Sequence, residues 1–288
     1  MKKTILITGA NGQLGSEIKE QSYNTPEFEF IFTDVNELDI TDLNAIEKLF
    51  NKNKIDFIVN CAAYTNVDKA ETDTKNAELI NINAVKNLAS ISKKHKSPLI
   101  HVSTDYVFDG NSKIPYKETD KTNPQSAYGK TKLLGEEEAK KSHKHIIIRT
   151  AWLYSSFGNN FVKTMIRLGK EKDEISVVSD QIGSPTYAKD LASVILTILK
   201  LSDKDINNFK EGIYHFSNEG ACSWYEFASE IMKQKNLNCK VKPISSDEFP
   251  TPTKRPNYSL LDKTKIKNTF NIEVRDWNVA LKDCLKLI

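Results

Sequence analysis

A short apolar run that stops at a glycine constrains this chain more than any other feature. Thr4-Ile5-Leu6-Ile7-Thr8 is unbroken and rich in β-branched residues, the pattern of a strand buried on both faces of a parallel sheet. Gly9-Ala10-Asn11-Gly12-Gln13-Leu14-Gly15 follows at once, and Ser16-Glu17-Ile18-Lys19-Glu20 then has helical character. Glycines in such a turn let the backbone approach a pyrophosphate, and the amides and dipole of the following helix hold the anion. The spacing is G-x-x-G-x-x-G, a variant of the commoner G-x-G-x-x-G dinucleotide fingerprint.

The same alternation of buried strand and helix recurs. Phe28-Glu29-Phe30-Ile31-Phe32-Thr33 reads as a second strand and ends at Asp34, nineteen residues past Gly15. A carboxylate there can accept hydrogen bonds from an adenosine ribose. It would repel a 2′-phosphate, which taken alone favours NADH; the alternative is an aspartate that only caps its loop. In Leu38-Asp39-Ile40, Asp39 either meets an adenine on which Ile40 packs or begins the next turn. Asp42 to Asn53 reads as an amphipathic helix, and Asp56-Phe57-Ile58-Val59-Asn60 as a third strand. The strand runs into Cys61-Ala62-Ala63-Tyr64-Thr65, small residues where a ligand lies across the strand ends of an open α/β sheet. From Asn66 a long helical stretch runs to about Lys94, with Asp68 and Glu71 as caps.

Pro98-Leu99-Ile100-His101-Val102-Ser103 is the fourth strand, with His101 a core histidine. At its tip a hydroxyl can donate to a carbonyl oxygen: Thr104 is the candidate and Ser103 its rival. Ile146-Ile147-Ile148-Arg149-Thr150 makes a fifth strand. The order specifies an α/β fold, a Rossmann-type doubly wound parallel sheet with right-handed crossovers. After residue 150 the pattern changes. Residues 1–150 plus 187–217 read as the dinucleotide-binding domain, with Gly212 to Phe216 a late sixth strand. Residues 151–186 plus 218–288 read as a smaller substrate-binding lobe.

Between the fourth and fifth strands, Tyr128-Gly129-Lys130-Thr131-Lys132 opens a helical run after a proline-marked loop. Residues four apart share a helix face, so Tyr128 and Lys132 project together. A neighbouring ammonium favours phenolate and lowers a tyrosine pKa toward the working pH, and such a phenol can exchange a proton with a carbonyl or an alcohol.

Composition excludes other classes. Lys+Arg 41 against Asp+Glu 38 gives +3 with both signs interspersed, which is no nucleic-acid footprint. Cys61, Cys222, Cys239 and Cys284 are far apart and read as buried thiols in a reducing compartment, with no metal site. No stretch is apolar enough to span a bilayer, and the expectation is a cytoplasmic protein.

These features together resemble the extended short-chain dehydrogenase/reductases. Finer motifs resemble the dTDP-4-dehydrorhamnose reductases: Gly12-Gln13-Leu14-Gly15, Val67-Asp68-Lys69-Ala70-Glu71, Ser103 to Gly110, Tyr128 to Lys132, Arg149-Thr150-Ala151-Trp152, Asp180 to Thr186, and Arg255-Pro256. The resemblance implies reduction of the C4 ketone of dTDP-4-dehydro-L-rhamnose by NADPH, with NADH a second candidate, for surface or spore-coat polysaccharide. It implies Tyr128 as proton donor, Lys132 on the nicotinamide ribose and Thr104 on the ketone oxygen. Gly9, Gly12, Gln13 and Leu14 would face the pyrophosphate, Asp34, Asp39 and Ile40 the adenosine, and Ala62, Ala63 and Tyr64 the middle of the cofactor. Val67, Thr104, Asp105 and Trp152 would line the sugar pocket. Some members of the family bridge dimers with magnesium on glutamates; Glu17 fits one such position but Lys189 stands at another, so a monomer or weak homodimer is expected. The alternatives are a non-catalytic regulatory subunit of the methionine adenosyltransferase type, and a reductase or epimerase acting on another nucleotide sugar.

Overall fold

Within each apolar run, alternate side chains go to opposite sides of one sheet, and a different set of helices covers each side. The structure is a computed structural model and describes residues 2–288. In the first half of the chain come β1 (Lys3–Thr8), α1 (Gln13–Ser22), β2 (Phe28–Thr33), α2 (Leu43–Lys52) and β3 (Phe57–Asn60). They are followed by α3 (Thr74–Glu78), α4 (Ala84–His95), β4 (Leu99–Thr104), α5 (Ala127–Ala139) and β5 (His145–Thr150). The second half contains β6 (Leu153–Tyr154), α6 (Phe161–Glu171), β7 (Glu174–Val178), β8 (Ile182–Gly183), β9 (Thr186–Tyr187) and α7 (Ala188–Lys204). The chain then continues through β10 (Gly212–His215), β11 (Cys222–Ser223), α8 (Trp224–Gln234), β12 (Lys240–Ile244), α9 (Thr264–Phe270) and α10 (Trp277–Leu285).

Six parallel strands form the sheet in the order β10-β5-β4-β3-β1-β2. Ile5, Ile7, Val59, Ile146 and Ile148 pack with Leu14 and Ile18 of α1 and with Leu191, Ile195 and Ile198 of α7. Leu6, Ile58 and Ile147 point the other way, onto Ile46 and Phe50 of α2, Val85 and Leu88 of α4, and Ala139 of α5. A second core joins α6, α8 and α10 through Val162, Met165, Phe227, Ile231, Trp277 and Leu281. The strand order turns back at β1, which lies between β2 and β3. A doubly wound sheet opens its ligand crevice at such a reversal.

The long helix expected from Asn66 to about Lys94 is broken. It consists of a 3₁₀ turn at Lys69–Glu71, then α3, a π turn at Leu79–Asn83, and α4. The π turn contains the buried Asn81, whose amide donates to the Tyr64 carbonyl (3.1 Å) and to Thr131 Oγ1 (3.1 Å). Tyr64 N donates back to Asn81 Oδ1 (2.9 Å). The wider turn thus ties the β3 tip to α5, a common use of a π bulge beside a functional site.

Candidate active site

The Gly-rich turn is built for close approach. Gly9 has φ +64, and a Cβ on it would lie 2.6 Å from the Ala62 nitrogen, so the β1 and β3 tips touch. On Gly15 a Cβ would lie 2.4 Å from the Gly9 carbonyl oxygen. Gly12 differs: its nearest neighbour would be the Gly9 carbonyl oxygen at 3.3 Å, so the missing side chain leaves an open face. Gly12 caps α1 without a side-chain hydrogen bond, and the first amides of a helix have no intrahelical acceptor. An open face over free amides fits a dinucleotide pyrophosphate. Gln13 and Leu14 offer it their backbone only. The Gln13 side chain accepts from Asn160 Nδ2 (3.0 Å), and Leu14 is in the core.

The Asp34 carboxylate receives hydrogen bonds from Asn11 N (2.9 Å) and Val35 N (2.8 Å). It therefore braces the Gly-rich turn from the β2 tip. Asp39 Oδ1 accepts from the nitrogen and hydroxyl of Thr41, the turn-starting alternative, and Ile40 packs into the core. Ala62, Ala63 and Tyr64 are half-buried at the β3 tip, and the Tyr64 hydroxyl donates to Asp73 (3.0 Å).

α5 carries Tyr128 and Lys132. Ser126 caps it, accepting from Gly129 N (3.0 Å), and Glu71 Oε1 accepts from Ala127 N (2.8 Å). A Cβ on Gly129 would lie 2.3 Å from the Tyr106 carbonyl oxygen, so the helix seats directly on the residues after β4. Tyr128, Lys132 and Glu136 recur every fourth residue and are all buried. The Lys132 ammonium donates to the Val102 carbonyl (2.7 Å). Burial pulls its pKa down to about 8, with the Glu136 carboxylate opposing. Glu136 takes two hydrogen bonds from Arg149 (2.8 and 2.7 Å) and one from Ser103 Oγ (2.6 Å).

Geometry separates the two strand-tip hydroxyls. Ser103 is bound to Glu136, whereas Thr104 Oγ1 donates to Asp105 Oδ1 (2.9 Å) and accepts from Tyr106 N (3.2 Å). The Tyr128 phenol is raised well above its ordinary pKa by burial, with the Thr104 hydroxyl opposing and the Asp105 charge adding to the rise. This corrects the expectation of a phenol lowered by Lys132, whose ammonium is held by Val102 and does not offset burial. Burial also pushes the Asp105 carboxyl up to about 7, and its second oxygen has no hydrogen-bond partner.

Residues distant in sequence complete the cleft. Arg255 donates to Asp68 Oδ2 (2.5 Å) and to the Tyr106 hydroxyl (3.2 Å). Thr253 donates through its nitrogen to Asp68 Oδ1 (3.3 Å) and through its hydroxyl to the Val67 carbonyl (3.3 Å). The proline-rich segment is thereby strapped over Val67, and the Tyr106 ring stands edge-on to Tyr128 at 5.5 Å. A small recess lies beside the strap, lined by Tyr106, Phe108, Asp109, Gln125, Ser126, Lys254, Arg255 and Pro256. Asp68 and Glu71 are thus not caps of their own stretch: one clasps the strap and the other caps α5. No local pattern marks Arg255 with Asp68, whereas the helical spacing Tyr128, Lys132, Glu136 was a readable signal. Trp152, with φ 49, stacks on Trp224 with ring centroids 3.5 Å apart.

The sequence model of the RmlD substrate binding domain matches residues 1–288. A dTDP-4-dehydrorhamnose reductase of Aggregatibacter actinomycetemcomitans is 44% identical, with 97% of each chain covered. The crystal structure of the same enzyme type from Clostridium acetobutylicum is 47% identical, with a TM-score of 0.92 and 99% of each chain covered. The Bacillus anthracis structure, solved in complex with NADP, is 40% identical, with a TM-score of 0.93 and 100% of each chain covered. The chain belongs to the dTDP-4-dehydrorhamnose reductase family. Glu17 is buried and accepts from Ser155 Oγ (2.6 Å). Among the described residues no cluster of three or more His, Cys, Asp or Glu side chains could hold a metal ion, and no helix is long and apolar enough to cross a membrane.

Proposed function

We propose that the chain reduces the C4 ketone of dTDP-4-dehydro-L-rhamnose to dTDP-L-rhamnose in the cytoplasm, as a monomer or weak homodimer. Membership of the family makes it an NAD(P)H-dependent oxidoreductase of nucleotide-sugar metabolism. The observation that supports the specific reading is that Tyr128 and Lys132 lie buried, four residues apart on α5, with the Thr104 hydroxyl at the β4 tip against the Tyr128 phenol. The reduced nicotinamide supplies the hydride. Gly9, Gly12 and the Gln13 and Leu14 amides hold its pyrophosphate, Asp34 the adenosine ribose, and Ala62, Ala63 and Tyr64 its middle.

Negative charge develops on the ketone oxygen as it is reduced, so groups placed to meet it act mainly in the transition state. Burial keeps Tyr128 protonated, which suits a proton donor. Thr104, its hydroxyl oriented by Asp105 and by the Tyr106 amide, sits beside that oxygen. Lys132, charged below about pH 8, binds the nicotinamide ribose and supports the phenolate that proton transfer leaves behind. Val67, Asp105 and Trp152 border the sugar. Residues 1–150 and 187–217 form the cofactor part, and 151–186 and 218–288 the sugar-nucleotide part.

The test is a coupled assay. The dTDP-4-keto-6-deoxy sugar and its epimerase are supplied with NADPH, and loss of reduced-nicotinamide absorbance is followed. Consumption dependent on this chain, with dTDP-L-rhamnose as product, is expected. No consumption with either NADPH or NADH would refute the reading.

A further inference from the structure

Four non-glycine residues have positive φ among the described residues: Lys96, Trp152, Asn236 and Asn271. Lys96 and Asn271 are the left-handed C-caps of α4 and α9, and Asn236 follows the C-cap of α8. Left-handed residues at helix ends are ordinary. Trp152 ends no helix, and a bulky side chain in that region persists only where its surroundings over-determine it. Strain of this kind gathers at ligand sites.

Two neighbours flank the Trp152 ring. Trp224 lies parallel to Trp152, with centroids 3.5 Å apart and planes 10° apart. Gly183 lies against the six-membered ring of Trp152, and a Cβ there would come within 2.6 Å of it. Trp224 is itself fixed. It is the first residue of α8, directly after the N-cap Ser223 and within the Ser223–Glu226 capping box, and Phe161 leans on it at 4.6 Å. Both indoles pack on the edge of the second core and remain partly exposed there.

We infer that Trp224 is a positioning residue of the sugar-nucleotide site, setting the ring plane of Trp152 through the stack, with Gly183 as its counterpart. The inference rests on the proposed function, in which Trp152 borders the sugar. Trp224 belongs to a helix that carries none of the reacting groups, so it makes sugar affinity depend on how α8 is seated.

Circular dichroism and kinetics test this on the intact chain. Stacked indoles give an exciton couplet in the far ultraviolet. The couplet should be present in the wild type, absent from Trp224→Leu and Trp152→Phe, changed by saturating dTDP-L-rhamnose and unchanged by NADPH alone. An aromatic pair contributes enough beyond its buried area that Trp224→Leu should raise KM for the nucleotide sugar about 3- to 10-fold. The KM for NADPH should hold and kcat should fall less than KM rises. Trp224→Phe should restore most of the affinity, and Gly183→Ala should reproduce the defect by displacing the Trp152 ring. These two variants decide the matter if Trp224→Leu does not fold. An unmoved sugar KM with the couplet gone overturns the inference, as does a uniform fall of all kinetic constants with thermal stability in every variant. The two readings fail separately: a wild type that consumes no NADPH with the keto sugar refutes the assigned reaction, whereas an active wild type indifferent to Trp224 and Gly183 substitutions refutes the positioning role.

Discussion

Glu136→Gln changes one charge and almost no volume, yet it should affect both folding and catalysis. Glu136 is fully buried and Arg149 is 2% exposed, so the pair is isolated from solvent screening. A glutamine oxygen can still accept from Ser103 and from Arg149 Nε, which share Oε1 in the native site. At the second position an amide NH₂ would face Arg149 Nη2, donor against donor, and Arg149 Nη1 already lacks a partner. Breaking a buried pair from one side costs about 3–5 kcal/mol. For a chain of 288 residues the unfolding entropy is about 0.6 kcal/mol/K, so Tm should fall by about 5–8 °C.

The catalytic effect has a defined sign. Glu136 raises the Lys132 pKa against burial, which alone pulls it below about 8. Without the carboxylate, Lys132 loses its proton at lower pH, so the alkaline limb of kcat/KM for reduction should move to lower pH. Thermal unfolding at neutral pH and a pH–rate profile of the same preparation measure the two effects. A Tm within a degree of wild type, or an alkaline limb that stays in place, would refute the reasoning about the charge.

Tyr128→Phe removes the acid but keeps the ring and should lower kcat by about 10²–10⁴-fold with little change in cofactor affinity, and Thr104→Val should cost less; a wild-type rate in Tyr128→Phe would place the donor elsewhere. In the wild type, kcat/KM for reduction should decline above about pH 8, where Lys132 loses its charge, since the buried phenol titrates higher; a profile flat to pH 10 would contradict that assignment. Asp34→Ala removes a brace of the Gly-rich turn together with a ribose acceptor, so both cofactors should bind less tightly, with the preference shifting about 10-fold toward NADPH; equal losses in a titration would leave only the brace. Arg255→Ala should raise the KM for the nucleotide sugar by freeing the strap, yet cost only about 1 kcal/mol in stability because its ion pair with Asp68 is partly exposed; an unchanged KM would show that the strap holds without it.

What the sequence determined by itself is whatever local periodicity encodes. Unbroken β-branched runs made strands buried on both faces. The glycine spacing made a turn whose middle position stays open. A four-residue repeat put Tyr128, Lys132 and Glu136 on one helix face, and the run from Gly212 joined the sheet as its sixth strand, ending at His215, one residue before the expected Phe216. These features need only neighbouring residues, so they survive without knowledge of the rest of the fold. Tertiary structure decided what depends on partners far away in the chain. Asp34 looked like a ribose ligand, and only the folded turn reveals its bond to Asn11. Asp68 looked like a cap until Arg255, 187 residues later, reached it. Ser103 and Thr104 are chemically equal in sequence, and opposite projection along β4 sends one to Glu136 and the other toward Tyr128. Lys132 stands on the same helix face as Tyr128, as the spacing required, but burial governs both groups: the ammonium turns to the Val102 carbonyl and the phenol stays protonated. Desolvation is a property of the assembled interior, and no spacing along the chain carries it.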